Sequence, residues 1–143
     1  MRRKQIGALC LVLAMLFMAV PGMSVLASGG TELGTALITP YYTNTSQVQV
    51  GLSFSGTAAN CTSAIIGLSG TTKITATLSL YRVSSTGSLT LLKSWSASSS
   101  TMVLNIGQTY AASKGYTYRL SVSAQVTRNG STESVSNFVD RAL

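Results

Sequence analysis

Apolar and polar residues alternate along most of this sequence, and the alternation limits the folds that the chain can adopt. In the longest run, residues 116–126, every second residue is apolar: Tyr116, Tyr118, Leu120, Val122, Ala124 and Val126. A period of two places these side chains on one face of a strand and their neighbours on the other. The pattern therefore predicts a strand with one face in a core and the other in water.

Seven runs of this kind lie between turn sequences: residues 48–54, 59–65, 74–81, 89–95, 102–106, 116–126 and 132–139. In the fourth run Leu92 is out of step with Leu89 and Leu91, and a β-bulge would reconcile the two phases. Asn129-Gly130, between the last two runs, is a strong signal for a two-residue hairpin turn. The fold class that this predicts is all-β, a seven-stranded antiparallel immunoglobulin-like sandwich.

The first 27 residues have the pattern of a secretory signal peptide. Three cations precede an apolar run at residues 6–20, Pro21-Gly22 ends the run, and Val25 and Ala27 have the spacing of a cleavage site. We expect a signal-peptide helix at 1–27, a flexible segment at 28–45 and the sandwich at 46–143. Cleavage removes three of ten cations and none of three acids, which changes the net charge from +7 to +4. The signal peptide indicates a secreted protein, and we expect no membrane segment after cleavage. A net charge of +4 is too small to indicate nucleic acid as a partner.

Cys61 lies in the second predicted strand in step with the core positions, and Tyr118-Arg119-Leu120 lies in the sixth. In immunoglobulin domains a disulfide joins these two strands, and a tyrosine two residues before the second cysteine bonds to backbone through its hydroxyl. The chain resembles this arrangement at Tyr118, but Leu120 stands where the second cysteine would be. The resemblance therefore implies a buried thiol at Cys61 that behaves as a small hydrophobic group.

Short motifs extend the resemblance along residues 41–139. These are GTTKI at 70–74, KSWSAS at 93–98, SKGYTYRLSVSA at 113–124 and GSTESV at 130–135. Their order resembles small, uncharacterised secreted sandwich proteins of Gram-positive bacteria, and the sixth strand is also similar to that of fibronectin type III domains. The resemblance implies a fold and an extracellular location, and no activity.

The residue inventory disfavours catalysis and cofactor binding. The sequence has no histidine and only three carboxylates, Glu32, Glu133 and Asp140. No Ser-His or Cys-His pair can form. Zinc sites that contain histidine are excluded too, and all-cysteine sites need more than the one cysteine of the mature chain. We expect no enzyme activity, no metal and no cofactor. A lysine–asparagine crosslink between Lys73 and Asn137 is a further, disfavoured option, because Lys73 is out of step with the core.

Residues out of step with the core in the third and sixth strands are expected to share one outer face. They are Lys73, Thr75, Thr77, Ser79, Tyr81, Arg119, Ser121, Ser123 and Gln125. The ligand-binding candidates are Lys73, Tyr81 and Arg119, because cations bind anionic polymers and an aromatic ring packs against a sugar. The competing interpretation is a merely solvated face, on which threonines are favoured by β propensity.

Three functional hypotheses follow. The first is a non-enzymatic module that binds at the cell envelope, with an extracellular glycan, a cell-wall polymer or a protein as its partner. The second is a structural or matrix protein that self-associates through its sheet edges. The third, a small secreted enzyme, is the poorest match to the residue inventory.

Overall fold

A computed structural model describes the backbone of residues 34–38 and the chain from residue 41 to residue 143. Within these ranges the chain is all-β, and its strands are β1 (Gly34–Ile38), β2 (Thr45–Ser55), β3 (Ala58–Gly67), β4 (Thr71–Val83), β5 (Leu89–Ser99), β6 (Val103–Ala111), β7 (Thr117–Arg128) and β8 (Ser131–Ala142). No helix in the described part is long and apolar enough to cross a membrane. The predicted signal peptide at 1–27 lies outside the described residues.

The strands form two four-stranded sheets with the orders β1-β2-β3-β6 and β5-β4-β7-β8. Every pairing is antiparallel. Strands β2 to β8 correspond to the seven predicted runs, which confirms the all-β prediction. Strand β1 lies in the segment predicted to be flexible, and it pairs with β2 from Gly34 opposite Leu52 to Ile38 opposite Val48.

The core forms where the inner faces of the two sheets meet. Its largest fully buried side chains are Leu52, Ile65, Ile74, Leu78, Leu80, Leu120, Val48, Val50, Val122, Val126 and Cys61. All of them hold the apolar positions of the predicted alternation. Each such side chain stabilises the fold by about 1.5–3 kcal/mol relative to exposure, so the alternation is the main source of stability.

The predicted bulge in β5 is confirmed. Leu80 is opposite Lys93 and Tyr81 is opposite Leu91, so Leu92 has no partner across the pair. The extra residue reverses the phase of the strand, and Leu89 and Leu91 therefore lie on the outer side, where both are exposed. The alternation also places Met102 and Tyr116 with the core. Both lie just before the first residues of β6 and β7, where they are exposed.

The thiol of Cys61 is fully buried in the core, as the resemblance implied. Burial in apolar surroundings raises its pKa from 9.0 to about 11. Among the described residues, its hydrogen-bond acceptor is the carbonyl of Ala59, at 3.9 Å from Sγ. Because the thiolate is the reactive form, this thiol is unreactive while the fold is intact.

We expect Cys61 to resist a thiol reagent at pH 8 in the folded protein and to react fully in denaturant. Replacement Cys61→Ser should lower the free energy of unfolding by about 1–3 kcal/mol, because a hydroxyl is costlier to bury than a thiol. Timed labelling and urea denaturation measure the two effects. Rapid labelling of the native protein would contradict the core position.

The hydroxyl of Tyr118 bonds to the turn that precedes β7. It accepts a hydrogen bond from the Ser113 amide at 2.8 Å and donates one to the Ser113 carbonyl at 2.9 Å. Its ring is buried and packs against Phe54 with 5.6 Å between ring centroids. One side chain thus fixes the connection between β6 in one sheet and β7 in the other.

Replacement Tyr118→Phe keeps the ring and removes both bonds to Ser113. We expect the free energy of unfolding to fall by about 1–2 kcal/mol, the usual net value of one or two hydrogen bonds. Urea denaturation measures the change. The matched control is Tyr116→Phe, since the Tyr116 hydroxyl makes no bond in the described part of the chain; an equal loss in both variants would contradict the role of Tyr118.

Candidate functional site

The structure brings together two of the three predicted binding residues. Tyr81 in β4 and Arg119 in β7 are direct partners across the strand pair, on the outer face of the sheet β5-β4-β7-β8. Lys73 lies on the same strand as Tyr81 but eight residues earlier, opposite Thr127. At the rise of an extended strand that separation is about 26 Å. A ligand must therefore be long to touch both ends of this face.

A shallow, open depression lies between these two ends. Strands β4, β5 and β7 line it with uncharged residues: Thr75, Ala76, Thr77, Ser96, Ala97, Ser98, Ser123, Ala124 and Gln125. The hydroxyls of Thr77 and Ser96 lie 3.2 Å apart, and those of Ser79 and Ser94 have the same separation. The surface between Lys73 and Arg119 is therefore a field of small hydrogen-bonding groups without charge.

Strand β8 adds an acid and an aromatic ring beside Arg119. The guanidinium donates from Nε to Oδ1 of Asp140 and from Nη2 to Oδ2, both at 2.7 Å. It also stacks on Phe138, with 4.2 Å between its central carbon and the ring centroid. The hydrogen bond to Asp140 is the largest effect and raises the pKa of Arg119. Desolvation partly opposes it, and the charge of the Asp140 carboxylate adds a smaller increase. Arg119 is thus charged and held in one orientation.

The pair remains open to solvent. The side chains of Arg119 and Asp140 are 29% and 39% exposed, and Phe138 is 50% exposed. The two bonds engage Nε and Nη2, and no residue in the described ranges accepts a hydrogen bond from Nη1. A fixed donor group and a fixed acceptor group therefore lie side by side at the surface, next to Tyr81.

Asp140 and Phe138 were not among the binding residues predicted from the sequence, although Asp140 lies directly opposite Arg119. The Asn129-Gly130 turn could have predicted both residues, because it fixes which residues of β7 and β8 are opposite each other. Asn129 and Gly130 have φ values of 50° and 77°, which a two-residue turn of this hand requires. Counting outward from the turn pairs Ser121 with Phe138 and Arg119 with Asp140, as the structure does.

The other described carboxylate, Glu133, holds the start of β2. Its Oε1 accepts bonds from the amide and the hydroxyl of Thr43 at 2.7 and 3.1 Å. Its Oε2 accepts bonds from the amide of Asn44 at 2.9 Å and the hydroxyl of Thr45 at 3.1 Å. Desolvation raises the pKa of Glu133, but the four bonds together outweigh it and hold that pKa below its usual value.

Both described carboxylates thus have structural partners, and they lie at opposite ends of β8. No group of three or more possible metal ligands occurs among the described residues. The disfavoured Lys73–Asn137 crosslink lacks the required proximity, since Lys73 is opposite Thr127 while the buried Asn137 bonds to the carbonyl of Val48 at 3.0 Å.

Glu133 predicts a defined pH dependence of stability. Because its folded pKa is lowered, its contribution is complete above the unfolded value of about 4.3 and is lost as the pH falls through the lower folded value. We expect Glu133→Gln to reduce the free energy of unfolding by about 1–3 kcal/mol at pH 7. Urea denaturation of both proteins should show the difference shrinking as the pH falls toward about 3. A difference that is the same at pH 7 and pH 3 would contradict this role.

No protein-family model matches the chain, and no curated protein matches it either. The chemistry of the site therefore follows from the geometry of its own side chains.

Proposed function

We propose that this chain is a secreted, non-enzymatic immunoglobulin-like module that binds at the cell envelope. The sheet order supports the immunoglobulin-like assignment, because the third, sixth and seventh predicted strands, β4, β7 and β8, share one sheet. The fourth, β5, joins that same sheet, as the additional strands of variable-type domains do. The bonds between Tyr118 and Ser113 match the tyrosine feature of this class.

The observation that carries the binding function is the fixed Arg119 on an exposed face. Long side chains at a surface normally lose conformational freedom when a ligand binds, which costs about 0.5–1.5 kcal/mol each. Two bonds to Asp140 and the stacking on Phe138 have already imposed that order on Arg119. Arginine and tyrosine are also the residues that most often dominate binding energies. The face around Tyr81 and Arg119 is therefore the proposed binding surface.

One of the two edges of the same sheet, strand β5, is poorly suited to self-association. Strand β5 is an edge strand, and a continuous edge of eleven residues would pair readily with another chain. The bulge at Leu92 interrupts this edge, and the exposed Lys93 lies next to it. Bulges and lysines on an edge strand are two common devices that prevent edge pairing. We therefore favour ligand binding over assembly through β5.

A pull-down with a Gram-positive envelope fraction tests the proposed surface. We expect Arg119→Ala to weaken binding about tenfold, since truncating a central arginine typically costs more than 1 kcal/mol. The melting temperature should change little, because the ion pair lies at the surface, where such pairs contribute about 0–1 kcal/mol. Lys73→Ala, tested alongside, should weaken binding less and only for a ligand long enough to reach it.

Lys114→Ala is the matched control, since it removes an exposed cation from the connection between β6 and β7. It should bind like the wild-type protein. Wild-type binding by Arg119→Ala would exclude this face as the binding surface, and concentration-dependent sedimentation without any ligand would instead support self-association.

A further inference from the structure

We propose that the polymer recognised by the Tyr81–Arg119 face is an uncharged polysaccharide. This inference rests on the proposed binding function and specifies the chemistry of its ligand. It differs from the expectation of an anionic polymer, which follows from the cations of β4 and β7 alone.

The Tyr81–Arg119 face carries little net charge. Asp140 binds Arg119 through both carboxylate oxygens, so the pair has no net charge. Lys73 is the remaining cation of the face and lies about 26 Å from the pair along β4. An anionic polymer would therefore meet one isolated lysine and a neutral ion pair on this face. The distribution of charge therefore disfavours anionic ligands.

The Arg119–Asp140 pair can still form hydrogen bonds with a ligand. The guanidinium retains N–H donors at Nη1, and each oxygen of Asp140 retains a lone pair beyond the bond that it accepts. A sugar hydroxyl both donates and accepts, so neighbouring hydroxyls can bond to the donor and the acceptor at once. The ring of Tyr81, the cross-strand partner of Arg119, offers an apolar surface for the C–H face of the same sugar.

The surface that continues from the pair toward Lys73 is uncharged. In the depression between β5, β4 and β7 its polar side chains are hydroxyls and one amide, and the other lining residues are alanines. Its internal contacts, such as that of Thr77 with Ser96 at 3.2 Å, are weak neutral bonds that ligand hydroxyls can replace. The uncharged field is long enough for several linked units, which favours a polymer over a single sugar.

Asp140→Asn is the decisive variant, because it keeps the shape of the side chain and removes its charge. For an uncharged polysaccharide we expect binding to the envelope fraction to weaken about three- to tenfold, since a charged acceptor is lost and Arg119 is held less firmly. For an anionic polymer the same variant would strengthen binding, because the positive charge of Arg119 would no longer be neutralised by a carboxylate. The two ligand classes thus predict changes of opposite sign.

Two further measurements use the same envelope fraction. Binding of the wild-type protein should change less than about twofold between 50 and 500 mM NaCl, because no net charge is neutralised. Periodate oxidation of the fraction, which cleaves vicinal diols of sugars, should abolish binding, whereas protease treatment should leave it intact.

The outcomes separate this inference from the proposed function. Stronger binding by Asp140→Asn together with strong salt dependence would overturn the uncharged ligand and keep the face as a binding surface. Loss of binding after protease but not after periodate would identify a protein ligand and overturn the inference. If neither Asp140→Asn nor Arg119→Ala alters binding, both the inference and the proposed surface are wrong.

Discussion

The two-residue turn at Asn129-Gly130 sets every pairing between β7 and β8, and the candidate site depends on that register. Both turn residues have positive φ, which glycine adopts freely and asparagine tolerates. A slip of one residue would exchange the two faces of β8. Asp140 and Phe138 would then point toward the core, while the buried Val135 and Asn137 would point into water. The turn therefore decides both whether the core closes and whether Arg119 has partners.

Strand β8 also links the two sheets along their shared side. Asn137 reaches the carbonyl of Val48 in β2, and Glu133 accepts bonds from the residues that lead into β2. Strand β8 thus contributes Asp140 to the ion pair on its outer side. Its residues Glu133 and Asn137 bond to β2 and to the residues just before it.

The alternation predicted the strands and the core, because it reports which side of a strand is apolar. It does not report which strand lies opposite or which of two phases faces the core. Leu89 and Leu91 are apolar but exposed, because the bulge turns them outward at a sheet edge. Strand β1 was missed because a short stretch at 34–38 has no clear period of two and is specified by its pairing with β2. Arg119 and Tyr81 were found by phase alone, whereas Asp140 and Phe138 required counting across the hairpin turn.

The core at Cys61 determines the conditions under which this sandwich can mature. Where related architectures close a covalent bond between the two sheets, the described part of this chain holds a single thiol facing apolar side chains. Folding of this part therefore consumes no oxidant, produces no mispaired intermediates and needs no isomerase. The persistence of the native state depends on packing and hydrogen bonding, with no covalent link between the two sheets among the described residues.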